Sequence, residues 1–490
     1  SPEKKKHIQH LKQKYAFNSV KAQVEETMQR YAVIEKVLEK VVKRYKTGHS
    51  SLTDKADSLL THPFYGMLIF LTTLFFMFQA LFAWAEYPMN RIEEAFAWLS
   101  EQVKAQLPTA WYTDLLSDGI IAGLGGIFVF VPQIALLFLF VSVLEEVGYM
   151  ARAVFLTDKI MRKFGLNGRS VVALLSGMAC AIPAILSTRT IPTWKERLIT
   201  IMVTPLMSCS ARIPVFTLLA AFVVSNEEKI WGIFNLQGII IMAMYLAGAS
   251  AALLAAFVMK KIVRTQETHL FVMELPPYRM PHWRNVVITV YEKVKTFVVE
   301  AGKVILIISV VLWGLSSFGP EKAMQEAEQN AQQLAHQQHL NEEQTQRLIA
   351  SQKLEASYAG MMGKFIEPVI RPLGFDWKIG IALLTSFAAR EVFVGTMSVI
   401  YSAGSEDDVQ PLLERMRLEI HPHEGKPVYT TATALSLLVY YVFAMQCMST
   451  IAVVKRETKR WRWAFIQFAY MTLLAYLMSF LTFQLFQNIV

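Results

Sequence analysis

The chain has 490 residues, of which 54% are hydrophobic and 18% are charged, and its formal net charge is +9. Apolar residues in this excess, sorted into long runs, indicate a polytopic membrane protein. The basic residues concentrate beside the apolar runs, which favours charged loops at a membrane surface over nucleic-acid binding, so no nucleic-acid partner is expected. The three cysteines form no disulfide framework.

Residues 1–58 are polar, and their pattern predicts a cytoplasmic helical arm. Apolar residues recur there at steps of three and four, at Val24, Met28, Tyr31, Ile34, Leu38 and Val41. The first twenty residues are basic and lack the apolar core of a signal peptide. Because the sequence also lacks a starting Met, we expect a fragment or a processed chain.

Residues 59–118 are predicted to hold one transmembrane helix and an external segment. Phe64 to Ala85 is apolar and is flanked by Tyr65, Trp84 and Tyr87, as membrane-interface anchors are. Residues 86–118 are mixed and acidic, which predicts a helix lying on the outer surface.

Residues 119–262 are predicted to form a first gate-like unit. Apolar runs at 119–131 and 133–155 precede a basic loop at 157–169. Gly177, Pro183, Pro192, Pro205 and Pro214 interrupt the next apolar stretch, 168–214, and interrupted backbone survives at membrane depth only where protein or a wet cavity shields it. Basic loops on both sides of residues 171–186 favour a re-entrant hairpin, although an ordinary span remains open. Residues 198–224 and 231–259 are predicted to cross outward and back.

Residues 263–376 are predicted to form a connecting region, and residues 377–490 a second gate-like unit. The connecting region would hold a basic cytoplasmic loop at 263–295, a span at 297–318 and an exposed helix at 321–352. The second unit would hold a span at 377–401, a cytoplasmic segment at 402–427, a cysteine-bearing segment at 429–454 and a last span at 463–486. The predicted fold is therefore an all-α polytopic membrane protein with two related gate-like repeats containing broken or re-entrant helices.

An internal repeat supports the two units. Arg189 and Trp194 follow Cys180 by 9 and 14 residues, and Arg456 and Trp461 follow Cys447 at the same distances. Residues 151–155 likewise resemble residues 389–393. Paired broken segments mark the substrate site in transporters with internal repeats. Loop charges predict that the two units run parallel.

The cysteines supply the candidate metal ligands. Cys180, Cys209 and Cys447 are thiols near membrane depth, with Met178 and Met207 close by in sequence. Sulfur is a soft ligand suited to transition metals, and Glu145, Glu146 and Glu391 would add harder oxygens for a borderline ion such as Fe²⁺. Three alternatives stay open: buried small cysteines, methionines as core filler, and carboxylates reaching the membrane interface.

Three arginines in the predicted spans do not ligate cations. If Arg152, Arg212 and Arg390 are buried, we expect them to pair with carboxylates or to cap broken helix ends. An unpaired arginine in the bilayer centre costs at least ~2.5 kcal/mol.

Five motifs resemble a known family, the prokaryotic ferrous-iron transport protein B, over nearly all of the chain from about Ile34. They are FVPQIALLFLFVSVLEEVGYMARAVFLTDKIMRKFGLNGRS, SGMACAIPAILSTRTIPTWKERL, PLMSCSARIPVF, AAREVFVGTM and FAMQCMSTIAVVKRET. The resemblance implies ferrous-iron uptake across a bacterial cytoplasmic membrane, with the N-terminus in the cytoplasm. It implies Cys180 and Cys447 as gate cysteines, with Glu145, Cys209 and Glu391 as further pathway residues. Ala181 stands where the family commonly has Asn after the first gate cysteine.

The resemblance also implies partners outside this sequence. The family carries an N-terminal GTPase domain, but no G-x-x-x-x-G-K-[ST] motif occurs here, so GTP and Mg²⁺ are expected only on that missing domain. This chain is therefore expected to be no enzyme and to hold no resident cofactor. Its expected partners are the lipid bilayer, the transported Fe²⁺, the GTPase domain, small accessory Feo proteins and further copies of itself. The alternatives are a nucleoside-like organic-solute transporter and a membrane enzyme.

Overall fold

The computed structural model describes residues 19–41, 52–108, 110–224, 229–230, 234–263, 278–337, 342–387, 390, 392–401, 409–419 and 427–487. The chain forms two compact parts, residues 1–56 and residues 57–490. In residues 1–56 the predicted helix is present as Ser19–Val41. Met28 and Tyr31 of its apolar stripe are exposed.

Residues 57–490 form an α-helical membrane protein, as the composition predicts. Its described residues include seven helical stretches long and apolar enough to cross a membrane: Tyr65–Gln106, Trp111–Glu146, Trp194–Val223, Leu236–Val263, Trp283–Ser317, Thr431–Thr458 and Trp461–Gln487. The first is one continuous helix through Pro88, so the predicted span and residues 86–106 of the predicted surface segment form a single element, while residues 111–118 begin the second stretch.

Two of the seven stretches contain a π-helical turn. The second consists of Trp111–Asp114, a π-helical turn Leu115–Ile121, and the helices Ala122–Phe128 and Val131–Glu146. The fifth consists of Trp283–Thr296, a π-helical turn Phe297–Ala301, and Gly302–Ser317. The predicted loop 263–295 therefore ends early, because helix begins at Trp283.

The first hairpin is re-entrant, as predicted. Its arms are Ser170–Ala179 and Ala181–Ser187, and Cys180 alone separates them. A 3₁₀ turn, Thr188–Thr190, follows the second arm. The Arg169 Nη1 atom donates a 2.7 Å hydrogen bond to the Thr190 carbonyl oxygen, so both ends of the hairpin lie on one side of the molecule.

A second hairpin stands where a crossing span was predicted at 377–401. Its arms are Trp377–Thr385 and Val392–Ile400, each of 9 residues. The hydroxyl oxygens of Thr385 and Thr396 lie 2.8 Å apart, so the arms run side by side. The crossing prediction was wrong because two short buried arms have the same total length and hydropathy as one span.

Each hairpin is followed by a crossing stretch with a break at its centre. The first broken span comprises Trp194–Val203, 3₁₀ turns at Thr204–Leu206 and Ser210–Arg212, and Ile213–Val223. The second broken span comprises Thr431–Phe443 and Met448–Thr458.

The two hairpin-and-span units are inverted relative to each other. Arg197, near the start of the first broken span, lies 2.6 Å from the carboxylate of Glu457, at the end of the second. The two spans therefore run in opposite directions. The parallel prediction was wrong because counting the second hairpin as a crossing reverses the side of every later loop. Residues 402–408 and 420–426 of the predicted cytoplasmic segment lie outside the described residues, and on either side of that segment the Tyr401 hydroxyl donates a 3.0 Å hydrogen bond to the Tyr429 hydroxyl.

The inverted units also change which residues correspond. The first hairpin carries Ala-Leu-Leu-Ser at 173–176 and the second carries Ala-Leu-Leu-Thr at 382–385. The breaks share the pattern Met-x-Cys-x₃-Ile-x-Val, beginning at Met207 and at Met445. Cys447 therefore corresponds to Cys209, and the pairing of Cys447 with Cys180 predicted from spacing was wrong.

The remaining described elements surround these units. They are the helices Leu52–Leu60, Tyr149–Lys163, Glu321–Gln337, Glu342–Ala356, Tyr358–Ile370 and Val409–Leu418, and the 3₁₀ turn Arg371–Leu373. One antiparallel pair of two-residue strands, Lys229–Ile230 and Phe234–Asn235, interrupts the all-α pattern, with Lys229 opposite Asn235. The largest hydrophobic cluster joins both broken spans, the second hairpin and the last helix.

Candidate functional site

Each cysteine lies at a backbone break and has an extended conformation. The φ and ψ angles are −156° and 136° at Cys180, −93° and 165° at Cys209, and −160° and 103° at Cys447. A helix or 3₁₀ turn begins at the residue after each of them. Three helical N-termini thus start from the three thiol-bearing residues, as the interrupted sequence predicts.

Neighbouring residues hold the first hairpin tip against the first break. The Ser210 hydroxyl, beside Cys209, donates a 2.9 Å hydrogen bond to the carbonyl oxygen of Ala179, beside Cys180. Gln133 in turn donates to Ser210 at 3.1 Å. A Cβ atom added at Gly177 would lie 3.3 Å from the Met207 Cβ, so no side chain separates the two segments.

The second broken span joins the same centre. The buried Arg212 guanidinium donates to the carbonyl oxygen of Ala444 at 3.2 Å, across from one break to the other. The amide of Met448 donates to the carbonyl oxygen of Phe387 in the second hairpin at 3.1 Å. The fold therefore brings the three predicted cysteines into one region.

The Cys209 thiol is in contact with a residue that was not assigned to the site from sequence. Arg390, at the tip of the second hairpin, donates from Nη1 to the Cys209 Sγ at 3.3 Å and from Nε to the Gln446 carbonyl oxygen at 3.3 Å. Arg390 is buried, with 4% of its surface exposed. The prediction treated residues 377–401 as one crossing span and so gave no reason to place Arg390 beside Cys209, whereas the hairpin puts Arg390 at a tip that reaches the first break.

The other predicted ligands lie in varied surroundings. Met178 and Met207 pack against the largest hydrophobic cluster, as core-filling residues do. Glu145 and Glu146 end the helix Val131–Glu146, and Glu146 accepts a 3.2 Å hydrogen bond from Asn285. Glu391 lies outside the described residues. Within the described part of the chain, no three His, Cys, Asp or Glu side chains are grouped as a metal site.

Several buried polar side chains at the second break lack hydrogen-bond partners. Both side-chain polar atoms of Gln446 and the hydroxyls of Ser449 and Thr450 have no partner among the described residues. All three residues are only 1% exposed. A buried unsatisfied group costs about 1–3 kcal/mol, so this region carries polar groups in excess of what packing needs.

An ion cluster joins the two units on one side of the centre. Glu457, with a side chain 3% exposed, pairs with Arg189 at 2.5 Å and with Arg197 at 2.6 Å. Arg189 lies in the turn that ends the first hairpin, and Arg197 lies near the start of the first broken span. One carboxylate of the second unit therefore holds two segments of the first.

A second polar cluster includes Arg152, which pairs with a carboxylate as predicted. The guanidinium of Arg152 contacts both carboxylate oxygens of Asp57, at 3.0 and 3.1 Å, and lies 4.1 Å from the ring centroid of Tyr278. The hydrogen bond from Arg152 holds the pKa of Asp57 below its usual value of 3.8. Burial and the hydrogen bond to Asp57 raise the pKa of Tyr278 to about 12.

Comparison with known proteins identifies the family. A family model named Gate and described as nucleoside recognition matches residues 127–223 and 298–461, and a model described as ferrous iron transport protein B C terminus matches residues 241–293. The Fe(2+) transporter FeoB of Campylobacter jejuni is 34% identical over 444 residues, covering 91% of this chain and 67% of the relative. The chain belongs to the FeoB family.

Two further FeoB relatives show how much of such proteins the chain spans. The Fe(2+) transporter FeoB of Leptospira biflexa is 44% identical over 462 residues, which cover 94% of the chain but 64% of the relative. A Porphyromonas gingivalis protein named as an Fe(2+) transport protein A/Fe(2+) transporter FeoB fusion is 38% identical over 469 residues, covering 94% and 54%. The chain thus spans less than two thirds of these two relatives. No solved structure matches it.

Proposed function

We propose that the chain is the ion-conducting membrane part of a ferrous-iron transporter and that Fe²⁺ crosses between the two inverted units. The observation that carries the proposal is the placement of Cys180, Cys209 and Cys447, one at each of three interlocked backbone breaks. The names of the FeoB relatives supply the identity of the cargo. Inverted repeats with broken helices are the arrangement in which transporters bind their substrates.

The sulfur atoms suit this cargo chemically. Thiolates favour transition metals over Na⁺, K⁺ and Mg²⁺, and a transport site must release its ion as well as bind it. A path with cysteines on separate elements lets the ion pass from one sulfur to the next without a closed cage. Glu145, Glu146 and Glu391 remain proposed oxygen ligands, and Met178 and Met207 proposed weak sulfur ligands.

The remaining expectations belong to the same proposal. The chain lies in the bacterial cytoplasmic membrane with its N-terminus in the cytoplasm. The side on which Glu457 pairs with Arg189 and Arg197 carries basic loops and faces the cytoplasm. A GTPase domain of the same full-length protein binds GTP and Mg²⁺ and controls the path, so this chain itself is no enzyme. The Porphyromonas gingivalis fusion supports a small accessory partner. The chain also assembles with further copies of itself into homo-oligomers.

The alternative of a nucleoside-like solute is the weaker one. The description of the Gate family model and the unpartnered Gln446 amide point toward it. The FeoB relatives and the FeoB C-terminal match point to iron instead.

Flux into liposomes tests the proposal. The purified chain should admit Fe²⁺ and discriminate against Mg²⁺, and Cys180→Ser, Cys209→Ser and Cys447→Ser should each lower Fe²⁺ flux by about tenfold or more. Met242→Leu is the matched control, because it removes a sulfur that is 66% exposed on the helix Leu236–Val263. Unchanged flux in all three serine variants would remove the cysteines from the path.

A further inference from the structure

Arg390 is a cation already present at a proposed iron ligand. Its guanidinium donates to the Cys209 Sγ at 3.3 Å, and both residues are buried, at 4% and 8% exposure. Guanidinium groups stay charged in proteins, and they have no acceptor atoms with which to ligate a metal. The contact therefore places a fixed positive charge on the sulfur that an incoming cation would use.

A guanidinium and a divalent ion compete for that sulfur. Both approach the same lone pairs, and two cations held a few ångströms apart in a buried region repel each other strongly. Binding of a metal at Cys209 therefore requires Arg390 to leave the sulfur.

The residue that Arg390 already contacts offers a second acceptor. Its Nε donates to the Gln446 main-chain oxygen at 3.3 Å, while the Gln446 side-chain Oε1 is buried and has no partner among the described residues. An unsatisfied buried acceptor beside a guanidinium is a place to which the group can move with a gain of one hydrogen bond.

The two hairpin tips differ at this point in sequence. Aligning Ala-Leu-Leu-Ser at 173–176 with Ala-Leu-Leu-Thr at 382–385 places Cys180 opposite Ala389, so that Arg390 follows the position of the missing thiol. One tip presents sulfur to the centre and the other presents a positive charge.

We propose that Arg390 is a tethered cation that occupies Cys209 in the resting protein and moves to the Gln446 side chain when a soft divalent cation binds. This positioning role rests on the proposed function, because it regulates the same ion path. It makes entry of the ion conditional on displacing the protein's own charge, which disfavours monovalent ions that bind sulfur weakly.

Cadmium binding tests the proposal without using iron or transport. Cd²⁺ bound by thiolates gives an ultraviolet charge-transfer band, which is titrated in the full chain in detergent. Arg390→Gln should tighten Cd²⁺ binding about tenfold, which is about 1.4 kcal/mol. The same change made together with Cys209→Ser should produce no tightening, because the competing sulfur is gone.

Two further variants keep the test decisive if Arg390→Gln folds poorly. Arg390→Lys retains the charge and should stay within about threefold of the wild-type affinity. Gln446→Leu removes the second acceptor without touching Arg390 or Cys209, and it should weaken Cd²⁺ binding several-fold. Circular dichroism and size-exclusion chromatography establish that each variant is folded.

The outcomes separate this proposal from the proposed function. Unchanged affinity in Arg390→Gln, equal tightening in the Cys209→Ser background, no thiolate band in Arg390→Gln, or unchanged affinity in Gln446→Leu would each overturn the tethered-cation account. Absence of Fe²⁺ flux alongside the expected Cd²⁺ pattern would instead overturn iron transport and leave the Arg390–Cys209 competition standing.

Discussion

At the scale of single residues, Glu457 is the carboxylate through which the two inverted units meet. Its side chain is 3% exposed, while those of its partners Arg189 and Arg197 are 48% and 21% exposed. Removing one partner of a fully buried pair costs about 3–5 kcal/mol, but exposed partners are screened by water. The expected contribution here is therefore below that range.

Glu457→Gln should lower the stability of the protein by about 1–3 kcal/mol, because two guanidinium groups lose their shared anion. The thermal denaturation midpoint in detergent measures the effect. The control is Glu94→Gln, since Glu94 and Arg91 form a pair with both side chains 63% exposed, and its loss should leave the midpoint unchanged. Equal midpoints for Glu457→Gln and the control would show that the buried cluster is not stabilising.

Asp57 gives a residue-scale prediction about pH. Its pKa in the folded protein is lowered from 3.8, so its contact with Arg152 stabilises the fold above about pH 4 and that stabilisation is lost as the pH falls through the lowered value. Asp57→Asn should lower the denaturation midpoint at pH 7. The difference from the wild type should shrink as the pH is reduced below 4, and a difference independent of pH would contradict the assignment.

At the scale of elements, helices that approach closely hold the second hairpin. A Cβ atom added at Gly363 would lie 2.6 Å from the Ile381 Cγ1 and 2.9 Å from the Trp377 carbonyl oxygen. The helix Tyr358–Ile370 therefore packs directly on the first arm of the second hairpin, Trp377–Thr385. At Gly314, in the helix Gly302–Ser317, an added Cβ would meet nothing within 4 Å.

Gly363→Ala should therefore destabilise the protein by about 1–3 kcal/mol, because overpacking forces the backbone apart. Gly314→Ala is the matched control and should be neutral or stabilising by up to about 1 kcal/mol, since alanine favours helix. Thermal denaturation of both variants measures the contrast. A Gly363→Ala variant as stable as Gly314→Ala would show that the two helices do not pack as described.

Hydropathy and interruption patterns predict some of the helical elements and miss others. Apolar length, Pro and Gly interruptions and basic flanks predict the membrane class, the first hairpin and the breaks at Cys180, Cys209 and Cys447. The second hairpin was missed because nothing in hydropathy distinguishes two buried nine-residue arms from one span. Arg390 and Gln446 were missed as site residues for the same reason, since their roles depend on which elements meet at the centre.

At the scale of the whole molecule, inversion of the two units accounts for the position of the site. Each unit contributes one hairpin tip and one broken span, and these four segments interlock through Ser210, Arg212, Phe387 and Arg390. An inverted pair gives the molecule two related faces around one centre, which is the geometry that alternating access uses.

X-ray absorption at the iron edge of the Fe²⁺-loaded chain tests the central claim most directly. If Fe²⁺ binds among the three breaks, the spectrum will contain a sulfur shell at about 2.3 Å, as thiolate-bound divalent metals show. Cys180→Ser, Cys209→Ser and Cys447→Ser should each reduce that shell, and Met242→Leu should leave it intact. A spectrum with only oxygen and nitrogen neighbours, unchanged in all three serine variants, would contradict the claim.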